Sequence, residues 1–146
     1  SSAASDVYKR QTYMWMGDLE TEMQQAYYDE YKNNIPQVDI LFQPHHGRKS
    51  GAVPNDLLEA LNPKLIIIGN APSEHIDYGD SRQTITQNAA GDIRFENDGK
   101  EVHIYTKNKI NNKPTCLKAK QGKGNITRTV YGFSIVDWYY AGTLVV

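Results

Sequence analysis

Apolar and polar positions alternate along the first two thirds of the chain in blocks that predict strands and helices in turn. Three short apolar runs, Thr12 to Met16, Val38 to Phe42 and Leu65 to Ile68, are typical of buried strands. Between them lie two blocks, Leu19 to Lys32 and Asn55 to Leu61, that favour helices. The pattern therefore predicts the order β-α-β-α-β.

Local signals define the two helices further. The first helix places its apolar residues near helical spacing, which predicts a buried face made of Leu19, Met23, Ala26 and Tyr27. The second helix starts after Pro54, and the pair Asn62-Pro63 ends it, because proline disfavours helical backbone in the residue before it.

The next part of the chain is predicted to end in a hairpin. The segment Ser81 to Asn88 suits a helix, and a short strand over Thr84 to Gln87 is the alternative. Two strands, Ile93 to Phe95 and Val102 to Thr106, flank Asn97-Asp98-Gly99, a strong turn signal because these residues tolerate positive φ. The predicted fold is an α/β sandwich whose first three strands run parallel, followed by a β-hairpin.

Composition excludes several classes of protein. The 146 residues are 39% hydrophobic, which is enough for one core and excludes a wholly disordered chain. No apolar run approaches the roughly 18 residues of a membrane-spanning helix, so no membrane contact is expected in this segment. The lone Cys116 excludes an internal disulfide and a multi-cysteine zinc site. The sequence names no compartment, so a cytoplasmic location is only the default, and it leaves the oligomeric state open.

The formal net charge of −1 hides a division of the chain. Up to Thr106 there are 9 basic and 16 acidic residues, whereas from Lys107 onward there are 7 basic residues and only Asp137. Residues 107–125 are rich in Lys, Asn and Gly and are predicted to form a basic linker. Residues 126–146 are predicted to form a terminal strand-like segment, with strand character on both sides of Gly142.

Metal-capable and acid/base side chains follow each of the three predicted parallel strands. Parallel strands end at the same edge of a sheet, where ligands of open α/β sheets bind. The candidates after the first, second and third strands are Asp18, then His45 and His46, then His75, Tyr78 and Asp80. Imidazole and carboxylate groups gathered at one edge would suit Zn²⁺ or another divalent transition ion.

Each of these residues has a simpler interpretation. Gly17-Asp18 suits a turn or a helix cap, and the His45-His46 pair suits a solvated loop. His75 alone suits a structural histidine. His103, inside the last predicted strand, is interpreted as a cross-strand or surface residue. The metal hypothesis depends on all three loops bringing their candidate ligands to the same edge of the sheet.

Three sequence runs resemble the metallo-β-lactamase-fold hydrolases: MWMGDLETE, VDILFQPHHGRKSG and LNPKLIIIGNAPSEHIDY. The resemblance is to the branch related to the DNA-uptake protein ComEC and spans residues 12–106. It implies the C-terminal half of an αββα sandwich. Family members carry a His-x-His-x-Asp-His cluster in the other half, which supplies most ligands of the first metal, and this sequence has none. The fragment alone is therefore expected to bind metal weakly and to be inactive.

The resemblance also implies roles for individual residues. Asp18 would bind or bridge the metals, and His45 or His46 would be a ligand or a transition-state donor. His75 would be the last histidine ligand, with Tyr78 or Asp80 as alternatives. Lys49 and Ser50 would contact substrate, with exposed loop residues as the alternative, and Tyr78 and Asp80 are weaker candidates for substrate contact. The implied cofactor is zinc, with manganese as an alternative, as one or two ions in the intact parent, where metal-activated water would hydrolyse a small-molecule or nucleic-acid phosphodiester.

Two further expectations concern the ends of the chain. Asp6 to Gln11, DVYKRQ, resembles the translation of a transposon end used in preparing sequencing libraries, so residues 1–11 are predicted to be a non-native artefact. The basic stretch supports an alternative function, a non-catalytic binding module that contacts nucleic acid or a protein partner through its lysines.

Overall fold

The computed structural model of the chain describes residues 11–44, 49–69 and 83–145. Over these residues the fold is mixed α/β, with one parallel and one antiparallel sheet of four strands each. The described residues divide into two compact units, one within residues 12–88 and the other formed by residues 89–145 together with Gln11.

The first unit contains the parallel sheet. Its strands are β1 (Tyr13–Trp15), β2 (Ile40–Phe42), β3 (Leu65–Ile68) and β4 (Thr84–Thr86), ordered β1-β2-β3-β4. The register aligns Trp15 with Phe42, and Phe42 with Ile67, so the first three strands end at the same edge of the sheet. The predicted parallel direction of these three strands is confirmed.

Two of the described helices connect strands of this sheet. They are α1 (Thr21–Tyr31) and α2 (Asn55–Leu61), and a 3₁₀ turn (Lys49–Gly51) precedes α2. Helix α2 ends as predicted, because Asn62 adopts a left-handed conformation with φ 43° and its backbone N–H donates to the Leu58 carbonyl. The buried core of this unit joins α2 to the sheet: Val38, Leu41, Leu57, Leu58, Leu61, Ile66 and Ile68.

The buried face of α1 differs from the prediction. Met23 is 60% exposed and Ala26 is exposed, whereas Gln24 is fully buried. Apolar spacing was therefore right for Tyr27, which packs against the core, and wrong for Met23 and Ala26. The physical reason is that the Gln24 amide has two backbone carbonyls to bind in the interior, a match that hydrophobic periodicity does not detect.

The chain between β3 and β5 was predicted to form either a helix or a short strand, and its described part, from residue 83 onward, contains both. β4 forms a short strand, and α3 (Gln87–Ala90) follows it directly as a single helical turn. The strand pairs with β3 through Ile67 and Ile85, and it extends the parallel sheet by one member beyond the three strands that the sequence predicted.

The second unit contains the antiparallel sheet, ordered β5-β6-β8-β7. Its strands are β5 (Ile93–Asn97), β6 (Glu101–Thr106), β7 (Ile126–Val130) and β8 (Phe133–Val145). The predicted hairpin at Asn97-Asp98-Gly99 is confirmed, with Gly99 at φ 90°. A second two-residue turn joins β7 to β8, with Tyr131 and Gly132 both at positive φ. Gly142 lies inside β8, which is one continuous strand on both sides of it.

The stretch between β6 and β7 packs within the second unit. Ile110, Pro114 and Leu117 are buried there. Lys118 and Thr143 exchange two backbone hydrogen bonds of 3.0 and 2.8 Å, which join this stretch to β8. Its lysines are mostly exposed, so the basic stretch contributes a few apolar anchors to the unit and presents its charge to solvent.

Candidate metal-binding sites

The described part of the predicted site at the edge of the parallel sheet consists of Asp18. Gly17 makes the turn after β1 with φ 59°, a conformation that suits glycine, and the exposed Asp18 follows it. The other predicted ligands lie outside the described residues: His45, His46, His75, Tyr78 and Asp80. The structure therefore places one of the six candidate ligands, Asp18, and does not test whether the six converge.

Lys49 and Ser50, the predicted substrate contacts, lie in the 3₁₀ turn that follows the histidine-bearing segment. Both residues are exposed. Thr21, at the start of α1, holds this turn because its hydroxyl donates to the Ala52 carbonyl at 2.7 Å and reaches the Ser50 carbonyl at 3.2 Å. The backbone of the turn is thereby anchored to α1 while its side chains face solvent.

Gln24 connects the two loops on either side of the predicted site. Its Nε2 donates to the Leu19 carbonyl at 2.8 Å and to the Gly51 carbonyl at 2.9 Å. Leu19 adjoins Asp18, and Gly51 closes the segment that carries His45 and His46. A single buried amide therefore joins the loop after β1 to the loop after β2.

A second group of possible ligands lies at the β5–β6 hairpin, where the sequence predicted none. Asp98, Glu101 and His103 have donor atoms that all lie within 4.8 Å of one another. Glu101 and His103 are two residues apart on β6 and share a face of the strand, and Asp98 is in the turn. The spacing Asp-x-x-Glu-x-His across a hairpin is the signal that could have indicated this group from sequence.

His103 is held from two sides. Its Nδ1 lies 2.8 Å from Thr143 Oγ1, and its Nε2 lies 3.3 Å from Asp98 Oδ2. The residue is cross-strand, as predicted, since it pairs with Glu96 and Thr143, but it is buried and not a surface residue. Thr143 is only 2% exposed, so the Thr143–His103–Asp98 arrangement cannot act as a nucleophilic triad on a substrate.

Charges around the hairpin are paired. Two backbone N–H groups, those of Lys100 and Glu101, donate to Asp98 Oδ1 and lower the pKa of Asp98 from 3.8 to about 2, with a smaller contribution from His103. The Lys120 ammonium bonds Glu101 Oε2, and this bond raises the pKa of Lys120. An open groove of about 300 Å³ adjoins these groups, lined by Glu96, Asn97, Asp98, His103, Lys120 and Lys123.

Acid should weaken the metal-free hairpin through Asp98. Because folding lowers this pKa from 3.8 to about 2, the stabilisation is complete above pH 4 and is lost as the pH falls towards 2. Asp98 is half exposed, so we expect an effect of at most about 1 kcal/mol. Urea unfolding of the wild type and of Asp98→Asn between pH 5 and 2 measures it. Equal pH dependence of the two proteins would show that the carboxylate contributes nothing.

The second unit also carries a basic and aromatic surface. The Lys107 ammonium lies 5.3 Å and the Arg94 guanidinium 6.0 Å from the centre of the Trp138 ring. Arg128 is paired with Asp137 at 2.9 Å. Cationic side chains beside an aromatic ring occur where proteins bind single-stranded nucleic acid, and they also stabilise sheets without any ligand.

Comparisons with known proteins identify no relative. No family model matches the chain, and neither the curated proteins nor the solved structures include a match. Among the described residues, no helix is long and apolar enough to cross a membrane. The function proposed below therefore rests on the residues and on the fold.

Proposed function

We propose that this chain supplies part of the active site of a metal-dependent hydrolase of metallo-β-lactamase-like fold that acts on a phosphodiester. The observation that carries the proposal is the parallel order of β1, β2 and β3, which end at one edge of the sheet. Ligands of open parallel sheets bind at this edge. Asp18 lies there directly after β1.

The buried amide of Gln24 supports the same location. It bonds Leu19, next to Asp18, and Gly51, at the end of the segment with the two histidines. Groups that bind one metal must be held within a few tenths of an ångström, and buried hydrogen bonds behind the ligand loops provide such support. Gln24 is therefore a positioning residue in this proposal.

The donor set suits a transition ion. Asp18 would hold the metal together with His45 or His46 and His75, with Tyr78 or Asp80 as alternatives to His75. Carboxylate oxygen and imidazole nitrogen are the ligands that Zn²⁺ takes, and Mn²⁺ accepts a similar set. When bound, the metal would supply a water whose pKa is lowered to about 7.

The chain's own residues would balance charge, donate a proton and bind the substrate. The Asp18 carboxylate would balance the positive charge of the ion. Whichever of His45 and His46 does not bind the metal would donate a proton to the leaving oxygen. The exposed Lys49 and Ser50 would bind phosphate oxygens, because an ammonium and a hydroxyl are both donors to an anion.

The proposal includes a longer parent protein. The sequence contains no His-x-His-x-Asp-His cluster, so the remaining ligands would come from residues encoded upstream of Thr12. The experiment therefore uses the intact parent, purified with Zn²⁺ or Mn²⁺, and measures bound metal together with hydrolysis of bis(p-nitrophenyl) phosphate.

We expect stoichiometric metal and turnover in the parent, and loss of both in Asp18→Ala and His45→Ala. Glu59→Ala is the matched control, since Glu59 is an exposed carboxylate in the second half of α2, which leads back to the start of β3. Its metal content and turnover should match those of the wild type. A parent protein with neither bound metal nor turnover would refute the hydrolase.

A binding module remains the second candidate function. The surface of Trp138, Lys107 and Arg94 favours it, because cations beside an aromatic ring can contact the phosphates and bases of single-stranded nucleic acid. This alternative predicts salt-sensitive binding of an oligonucleotide without turnover, so the same preparation distinguishes the two functions.

A further inference from the structure

We propose that Asp98, Glu101 and His103 form a second binding site for one divalent transition ion, best suited to Zn²⁺, at the end of the β5–β6 hairpin. The three donor atoms lie within 4.8 Å of one another. His103 Nε2 and Asp98 Oδ2 are 3.3 Å apart, and ligands 2.0–2.1 Å from a tetrahedral zinc are separated by about 3.3 Å. This pair therefore already has the separation that the ion requires.

The orientation of His103 is fixed as in zinc sites. Its side chain is only 4% exposed, and Nδ1 lies 2.8 Å from Thr143 Oγ1, so Nε2 is the nitrogen that faces Asp98. A histidine that binds zinc usually donates its other ring N–H to an oxygen, which fixes the tautomer. Thr143 has the position of that acceptor.

A chain of hydroxyl groups supports the required tautomer. Tyr140 Oη donates to the Lys118 carbonyl at 3.4 Å and can accept from Thr143, which in turn can accept from His103 Nδ1. With hydrogens placed in this order, Nδ1 carries the proton and Nε2 carries a lone pair, so on binding the 3.3 Å contact of His103 Nε2 with Asp98 is replaced by bonds of both atoms to the ion. The hydrogen bond at Nδ1, on the buried side of the imidazole, thus leaves Nε2 ready to bind a cation.

Lys120 is the competitor of the ion. In the metal-free protein its ammonium bonds Glu101 and supplies the positive charge that the carboxylates need. Lys120 is exposed, so it can move into solvent when an ion binds. The open groove lined by Asp98 and His103 leaves room for water as the fourth ligand. The imidazole in the donor set favours zinc over calcium and magnesium, which prefer oxygen ligands alone.

The test is a titration of the chain with Zn²⁺ alone, followed by calorimetry and by competition with a chelating dye. It uses a background with Cys116→Ser, His45→Ala, His46→Ala and His75→Ala, which removes the other sulfur and imidazole donors. Circular dichroism checks that this background is folded. Because the histidine ligands of the proposed hydrolase are absent from it, failure of either proposal can be recognised separately.

We expect one Zn²⁺ per chain, with affinity at least tenfold lower in Asp98→Asn and in Glu101→Gln. Glu96→Gln is the matched control, since Glu96 lines the same groove and pairs with Arg94. Its affinity should stay within about threefold of the background, as a charge screened by solvent has little effect. Lys120→Met should bind several-fold more tightly, because the competing ammonium is gone.

Nuclear magnetic resonance gives a second readout that does not depend on variants. Zinc should shift the Nε2 resonance of His103 and leave Nδ1 protonated. No zinc binding in the background, or binding that neither Asp98→Asn nor Glu101→Gln weakens, would overturn the site. The three residues would then serve only to hold the hairpin together through the His103–Asp98 and Lys120–Glu101 pairs.

Discussion

A chain with Gln24 replaced by methionine is expected to lose about 2–3 kcal/mol of unfolding free energy. The substitution keeps the length of the side chain and its helix propensity, but it removes both donors of the amide. It also removes Oε1, a buried oxygen for which the described residues offer no donor, and this offsets part of the loss. The carbonyls of Leu19 and Gly51 would then be left without these bonds, and a buried carbonyl without a donor costs about 1–3 kcal/mol. Urea unfolding measures the loss.

The neighbouring residue offers a matched control. Gln25 lies on the same helix, and its amide bonds the exposed Asp29 at 3.1 Å. Gln25→Met should change the stability by no more than about 0.5 kcal/mol, because water replaces that bond. Hydrogen exchange at Gly51 and Ala52 should accelerate in Gln24→Met and not in Gln25→Met. Equal stability of the two variants would show that the amide does not join the loops.

Replacing Gly142 by alanine is expected to cost a similar amount, about 2–4 kcal/mol. Gly142 has φ 138°, which side-chain-bearing residues rarely adopt. A Cβ at this position would lie 2.7 Å from Leu117 Cβ and 3.3 Å from the Leu117 carbonyl carbon. Strand β8 and the stretch around Leu117 would have to separate, which weakens the paired hydrogen bonds between Lys118 and Thr143.

Two other glycines of the same unit separate backbone strain from crowding. Gly122 has φ 85° and open space around it, so Gly122→Ala should cost about 1 kcal/mol from strain alone. Gly124 has open space and no positive φ, and Gly124→Ala should change the stability by less than about 0.5 kcal/mol. Thermal unfolding of the three variants gives the order. A cost at Gly142 no larger than at Gly122 would mean that the contact with Leu117 is easily relieved.

The regular elements that the sequence predicted are those with strong local signals. β3 is apolar at every position and is buried at every position, as expected for a strand covered on both faces. Asn62-Pro63 ended a helix, and Asn97-Asp98-Gly99 turned a hairpin, because the residues themselves favour those backbone conformations. Such signals depend on few neighbours and are therefore visible in one sequence.

Local sequence signals did not predict which polar residues are buried. Gln24 has no apolar character, and its burial depends on two carbonyls that come from other parts of the chain. His103 is similar, since Thr143 is 40 residues away and becomes its neighbour only through the pairing of β6 with β8. Periodicity ranks residues by hydrophobicity, whereas a buried polar group is decided by its partners.

Composition likewise did not reveal how the stretch after β6 packs. Residues 107–125 contain few large apolar side chains, and this scarcity predicted a linker. Ile110 and Leu117 nevertheless suffice to anchor the stretch, because Gly142 lets the backbone of β8 approach Leu117 closely. The anchoring depends on the absence of a side chain at one distant position.

The sequence by itself determined the order β-α-β-α-β, the end of α2, the turn between β5 and β6 and the division of charge, because these depend on local backbone preferences and on composition. It also placed Asp18 after the first strand of a parallel sheet. Only the tertiary structure decided that Gln24 joins the loops after β1 and β2, and that His103 faces Asp98 and Glu101 with Thr143 behind it. Those contacts bring together residues distant in the chain, and long-range strand pairing and loop packing select them.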